Sequence, residues 1–254
     1  MPGPRHPTTP ATAPRHGLAR VLSKQGVCSR SEAERWIRAG RVALDGRVVR
    51  DPEHPVRVGQ GGITIDGQPL AAAQRVYVMF NKPRGLVISA ADEHGRATVY
   101  DALAAAGLPW LGPVGRLDKA SEGLLLLSND TVWAAGITDP AAHREKTYHV
   151  QVDCIPDAGL LPRLCEGVVE QGERLAARQV ELLRTGEKNA WLQIVLDEGR
   201  NRHIRRLLAA HGIGVLRLVR VAIGGLMLGD LAKGQWRHLT ANEVQALRHQ
   251  APKI

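Results

Sequence analysis

Apolar positions follow two periods along this chain, and the switch between them predicts its elements. Leu18, Val21 and Leu22 share one helical face, and Gly26 stops that helix. Ser29 with Glu32 three residues later predicts a capping box for a second helix. Its stripe is Ala33, Trp36 and Ile37, and Gly40 ends it. The pattern then shortens. Residues 42–44, the turn pair Asp45-Gly46 and residues 48–49 predict a hairpin, and 63–65 before Asp66-Gly67 predicts a further strand.

From residue 76 the segments lengthen. Residues 76–80, 86–88 and 124–127 are short continuous apolar runs, the pattern of strands buried on both faces. Residues 146–152 alternate like a strand; 177–183, 190–196 and 215–223 also predict strands. Helices are predicted at 98–106 on Val99, Ala102 and Leu103, at 131–137, at 156–167, and at 240–248. A polar helix is predicted at 201–211, with Ile204, Leu207 and Leu208 on one face and Gly212 at its end. Strands and helices do not alternate strictly, so the expected class is α+β with a mixed sheet.

Punctuation divides the chain. Residues 1–14 are rich in Pro, Thr and Ala without periodicity and are expected to be a disordered tail. Residues 15–60 form a small module, 61–75 a Gly/Pro-containing linker beyond its last strand, and 76–248 the large domain. A polar loop is expected at 92–96. No apolar run approaches the ~18 residues of a membrane span, and the N-terminus lacks the apolar core of a signal peptide. The expectation is a cytoplasmic monomer with no membrane partner. Cys28, Cys154 and Cys165 are scattered and odd in number, which suggests neither a disulfide frame nor a zinc site.

Charge narrows the partners. The formal net charge is +9 and the pI about 10.0, which points to a polyanion. Between Arg15 and Arg50 stand nine Lys/Arg against Glu32, Glu34 and Asp45, a net +6. This imbalance favours a phosphate-binding face, carried by Arg15, Arg20, Lys24, Arg30, Arg35, Arg38 and Arg41, over an ordinary solvated surface. A second basic stretch runs from Gly199 to Arg220, with six arginines and no acidic residue.

Three motifs carry the candidate chemistry. Ahead of the 124–127 run, Gly115-Arg116-Leu117-Asp118 puts a carboxylate beside a cation on a loop leading into the sheet. On pattern alone Asp118 reads as a turn cap, and Tyr148 in its strand reads as core. The full stretch GRLDKASEGLLLLSND, however, resembles the signature of the RsuA-like ribosomal RNA pseudouridine synthases. NKPRG at 81–85, KTYHV at 146–150 and EGRNRHIRRLL at 198–208 resemble that family's other motifs. The string 18–49 resembles the small RNA-binding module first recognised in a ribosomal small-subunit protein. The resemblance spans about 15–248. It departs at Thr131, where the family usually has glycine, and at Ala19, which replaces a commoner polar residue.

The resemblance implies a small N-terminal α-L module and a catalytic domain built on a mixed, mostly antiparallel sheet. It makes Asp118 the catalytic residue, Tyr148 the ring that stacks on the target base, and Arg205 the active-site cation. Arg116, Arg200 and Asn201 would flip or bind the substrate nucleotide. A nearby cation favours the charged form of a carboxylate, so Asp118 is expected to be ionised. The implied reaction flips a uridine out of folded RNA, breaks its N-glycosidic bond, turns the uracil, and joins C5 to C1′ of the ribose. No group leaves and no redox change occurs, so no cofactor and no metal are needed; the sequence has no GxGxxG, P-loop or metal cluster. Three roles stay open for Asp118: attack at C1′, attack on the uracil ring, or removal of a ribose proton. The implied partner is ribosomal RNA or a pre-ribosomal particle, with large-subunit RNA favoured over small-subunit RNA. Two other classes compete. A non-catalytic assembly factor would use the same basic surfaces, and a glycoside hydrolase would need a second carboxylate, for which Glu122 is nearest.

Overall fold

A computed structural model describes residues 14–70, 74–89 and 95–248. Residues 1–13 of the expected tail, 71–73 of the expected linker and 92–94 of the expected polar loop lie outside the described residues. The chain forms two compact units. One is built on the residues up to Tyr77 with Gly107–Gly112 and Ser128–Val132, the other on Val78–Ala106, Pro113–Leu127 and the chain from Trp133 onward.

The first unit opens with helices Leu18–Lys24 and Arg30–Arg38. Ser29 caps the second, its hydroxyl accepting from the Glu32 amide at 3.1 Å. Leu18, Val21, Leu22, Ala33 and Ile37 meet Val42, Val56 and Ile63 in one apolar core. Beside it lies a four-stranded sheet ordered Arg47–Val48, Val42–Leu44, Ile63–Ile65, Gln68–Pro69. Both of its hairpins turn on Asp-Gly pairs with positive φ: Asp45 at 49° and Gly46 at 77°, Asp66 at 49° and Gly67 at 79°. The strand expected at 63–65 is present, and the linker expected at 61–75 is corrected where pairing continues beyond it. Ile63 and Ile65 need the sheet to shelter their side chains, and pairing continues to Pro69. Thr131 also belongs to this unit, and its hydroxyl donates to the Lys24 carbonyl at 3.0 Å.

The large sheet is mixed and mostly antiparallel. Its main order is Gln179–Thr185, Ala190–Leu196, Lys146–Val152, Val215–Ile223, Glu122–Ser128, Tyr77–Lys82, Trp236–His238. Val215–Ile223 runs antiparallel to Lys146–Val152 and parallel to Glu122–Ser128. All seven residues of Glu122–Ser128 are buried, as its continuous apolar run predicts for a central strand. Arg220 and Gly123 are parallel partners, and Gly123 takes φ 99°. A side chain at Gly123 would run into the Arg220 backbone, so only glycine lets these strands close up.

Three other expectations are revised. Residues 86–88 form no strand but a single bridge, Val87 to Thr98, because the Val87 amide and carbonyl are spent on Ala97 and Val99. The helix expected at 156–167 is Leu160–Glu166, since Asp157 first makes a turn, its carboxylate accepting from the Gly159 amide. The helix expected at 201–211 is His203–Ala209, preceded by Arg202 in the left-handed region at φ 48°. Among the described residues no helix is long and apolar enough to cross a membrane.

Candidate active site

The site is built on the end of the central strand. Gly115, at φ 79°, starts the loop that carries Arg116 to Ala120, and the Ser121 amide donates to the Asp118 carbonyl at 3.0 Å to close a turn. A buried ammonium organises that turn. Lys82, fully buried, donates to the carbonyls of Ser121 at 2.8 Å, Asp118 at 3.2 Å, Pro83 at 3.2 Å and Lys119 at 3.4 Å. Burial pushes this ammonium down to about 8, while Glu122 and Asp118 pull it back up. The Gly85 amide adds a bond to the Lys119 carbonyl at 2.8 Å, so the NKPRG segment cradles the loop that presents Asp118.

A cavity of about 400 Å³ opens beside this loop, a size that accommodates a nucleoside. Arg116, Asp118, Tyr148, Arg200, Asn201 and Arg205 all line it. The structure thus brings together every residue expected at the active site, from three separate stretches of sequence. Tyr148 is 9% exposed and sits in a strand held on both edges, which fixes its ring as part of the wall.

The cation at ion-pair distance from Asp118 is one that sequence reasoning passed over. Arg202 Nη1 lies 3.9 Å from Asp118 Oδ2, with both side chains partly exposed. Arg205 is more deeply held, donating to the carbonyls of Ala120 at 3.3 Å and Val215 at 3.4 Å. Burial lowers its affinity for its proton, as does the charge of Arg202; Asp118 opposes both. Arg205 thus stands behind the Asp118 loop, bonded to its Ala120 carbonyl. Arg206, one position on, points elsewhere: it pairs with Glu170 and, at 2.6 Å, with Glu173 on the hairpin of strands Val168–Glu170 and Glu173–Leu175. Arg200 is bound to Glu198 at 2.8 Å, and the Asn201 carbonyl accepts from Arg206 at 3.4 Å.

Three more residues of the site escaped the sequence reading. Lys82 stood inside a noticed motif, but a lysine closing an apolar strand gives no hint that it points inward. Lys146 and Arg220 also line the cavity. Arg220 is 4% exposed and donates to the carbonyls of Leu124 at 2.8 Å and Arg116 at 3.4 Å. Glu122, the expected partner carboxylate of a glycosidase, is bound instead by Arg217 at 3.0 Å and Lys233 at 2.5 Å and is not part of the cavity wall.

The seven cations expected to meet RNA all lie on the first unit, Lys24 partly buried and the arginines exposed. Four are ion-paired in the free protein: Arg30 with Glu34 and Glu53, Arg35 with Glu32, Arg38 with Glu34, and Arg41 with Asp66. Arg41 also lies over the Trp36 ring at 5.2 Å. Glu53 and Asp66 fall beyond the stretch first counted; over 14–70 ten Lys/Arg face six acidic residues, a net +4. Exposed pairs of this kind are worth about 1 kcal/mol or less and exchange readily for phosphates.

A small basic module and a mixed-sheet unit that walls an aspartate into a nucleoside-sized cavity together define an RNA-directed enzyme. The profile of the RNA pseudouridylate synthase family matches residues 76–210, and that of the S4 domain matches 17–60. The ribosomal large subunit pseudouridine synthase B of Bacillus subtilis (strain 168) is 36% identical over 235 residues, covering 91% of this chain and 95% of that protein. The protein of the same name from Haemophilus influenzae is 34% identical and covers 91% of this chain and 66% of its own length. A crystal structure of a pseudouridylate synthase superposes with a TM-score of 0.63 at 30% identity, covering 92% of this chain and 100% of that one. The chain belongs to the RNA pseudouridine synthase family.

Proposed function

We propose that this chain converts a specific uridine of large-subunit ribosomal RNA to pseudouridine, with Asp118 as the reacting group. The observation that carries the reading is the placement of Asp118. Its carboxylate is presented into the cavity by a loop fixed on Lys82, 3.9 Å from Arg202, with Tyr148 in the same wall. The other carboxylate of that wall, Glu198, is bound to Arg200. One available carboxylate suits an isomerisation, in which nothing is added or lost, better than a hydrolysis that needs an acid and a base.

In this reading Tyr148 stacks on the flipped base, Arg116 and Asn201 meet the nucleotide at the rim, and Arg205 steadies the Asp118 loop. The RNA-binding module holds ribosomal RNA or a pre-ribosomal particle through its exposed arginines. The two large-subunit synthases named above support the choice of RNA. The protein would act as a cytoplasmic monomer, where that RNA is made and assembled.

Joining C5 to C1′ expels the C5 hydrogen, so tritium release from RNA labelled at uridine C5 reads the reaction directly. Release from large-subunit transcripts, with one pseudouridine missing from the ribosomes of cells lacking the gene, is the expected result. Binding without tritium release would make the protein a non-catalytic assembly factor. Release from small-subunit RNA alone would move the substrate to the other subunit.

A further inference from the structure

Arg220 is a buried cation that the reaction scheme above leaves unused. It is 4% exposed, lines the cavity, and pairs across the sheet with Tyr148. Cross-strand partners project to the same face of a sheet, so the guanidinium and the proposed stacking ring belong to one wall. Nε donates to the Leu124 carbonyl at 2.8 Å and Nη1 to the Arg116 carbonyl at 3.4 Å. Nη2 is buried with no hydrogen-bond partner, and among the described residues no carboxylate pairs with this arginine. A second cation stands in the same wall: Lys146, whose Nζ donates to the Arg144 carbonyl at 2.8 Å. Burial and the Arg220 and Arg144 charges push Lys146 down, and Asp197 and Glu198 pull it up.

An unpaired buried charge is costly, and a protein keeps one where a partner of opposite sign arrives later. Among the described residues the free enzyme shows no such partner for Arg220. The reaction, resting on the function proposed above, supplies one in each of the three roles open to Asp118. If the carboxylate attacks C1′ or removes the C2′ proton, the N1–C1′ bond breaks and its electron pair leaves with uracil as an anion. If the carboxylate adds to the ring, the same negative charge appears on the ring as an enolate. In every route the N1–C1′ bond breaks and C5 bonds to C1′, with the carboxylate released from C1′ or from the ring, or its proton returned to C2′. The C5 proton is lost and N1 gains one, so nothing is oxidised or left over. We propose that Arg220 is the fixed cation that stabilises negative charge on the uracil ring while its bond to ribose is broken. Its two carbonyl contacts hold it in place before substrate arrives, so no reorganisation is required when the charge develops.

The experiment compares wild type, Arg220→Gln and Arg220→Lys on RNA carrying uridine or 5-fluorouridine at the target site, by single-turnover consumption. Wild-type turnover of the uridine RNA first establishes the function itself; its absence would sink that reading, not this one separately. With turnover in hand, Arg220→Gln, which can still donate to the Leu124 carbonyl, should lose roughly 10²–10³-fold in rate with RNA affinity unchanged. Fluorine stabilises charge on the ring, so the loss should shrink about tenfold or more on 5-fluorouridine. Arg220→Lys keeps the charge and should stay within about tenfold of wild type. The proposal is overturned if the Gln variant, folded by circular dichroism, turns over like wild type, or if it loses equally on both substrates. Should the Gln variant not fold, a folded Lys variant as slow as ~10²-fold below wild type would overturn it equally, because charge would then not be what the site requires.

Discussion

Lys82 Nζ donates to the Ser121 carbonyl at 2.8 Å, and through the same ammonium the carbonyls of Asp118 and Lys119 are drawn inward. The loop that carries Asp118 is thus wound around a charge supplied by a strand 36 residues earlier in the chain.

Lys82→Met is the direct test of that arrangement. Methionine fills the space but takes the ammonium's hydrogen bonds from the Ser121 and Pro83 carbonyls, while those of Asp118 and Lys119 keep the Ser121 and Gly85 amides. A buried carbonyl left without a donor costs about 1–3 kcal/mol where no water enters. Turnover should fall at least about tenfold and the melting temperature should drop. The pH dependence has a definite sign. Burial holds the folded ammonium at about 8, below its unfolded value, so the unfolded chain binds the extra proton between those limits. The penalty is full below pH 8 and is relieved as pH rises toward 10.5, and this rise in stability should be absent from Lys82→Met. Denaturant unfolding of both proteins from pH 7 to 10 checks it; parallel curves would mean the ammonium is not held as the structure has it.

Asp118→Asn should abolish tritium release while RNA affinity and melting temperature change little. The carboxylate is 34% exposed and its ion pair with Arg202 spans 3.9 Å, so little stability depends on it. Residual turnover near the wild-type rate would remove Asp118 from the chemistry.

Much of this site was legible in the sequence because its motifs are contiguous. GRLDKASEGLLLLSND contains a loop, its aspartate and the buried strand that steadies them, and 124–127 folded as its apolar run required. The strand limits 146–152 and 215–223 also came out as read, since alternation is a local signal. What stayed hidden depends on distant neighbours. Arg202 reaches Asp118 only because the backbone turns left-handed before helix His203–Ala209, and Arg220 faces inward only because of its register with Tyr148. The strand Trp236–His238 is short and polar and exists through pairing with 78–80. The charge of the small module was overcounted because Glu53 and Asp66 return from further along the chain.

Arg205→Leu and Arg206→Leu should separate cleanly. Arg205 holds the Ala120 carbonyl behind Asp118, so its loss should reduce turnover roughly 10²-fold or more with little change in RNA affinity. Arg206 holds the Glu170 and Glu173 carboxylates of a hairpin, so its loss should lower the melting temperature and spare most of the turnover. Equal losses of turnover would mean that the arginine wall acts as bulk charge.

Glu122 offers an acid-side counterpart to Lys82. It is 2% exposed, and Arg217 and Lys233 hold its carboxyl below the usual range against the opposing effect of burial. A lowered folded value means stability that is present above the ordinary carboxylate range and lost as pH falls through it. Glu122→Gln should therefore cost about 1–3 kcal/mol at neutral pH and flatten the fall in stability between pH 5 and 3. An unaltered acid limb would assign that fall to other carboxylates.

The basic face of the small module should hold RNA by phosphate contacts and take no part in the chemistry. Arg20, Arg35 and Arg38 are exposed, and the pairs of Arg35 and Arg38 with Glu32 and Glu34 are of the weak surface kind. None lines the cavity. Each phosphate contact removed should flatten the dependence of log K on log salt by about 0.7–0.9. The combined change Arg20→Gln, Arg35→Gln, Arg38→Gln should then reduce the slope by roughly two to three such steps, with the helices intact because all three side chains point to solvent. Since weaker docking does not alter the cavity, kcat/KM should fall far more than kcat. Binding titrations at several salt concentrations, with turnover at saturating RNA, measure both. A slope equal to wild type would show that these arginines are ordinary solvated surface, and that the RNA is gripped by the arginines of 200–220 alone.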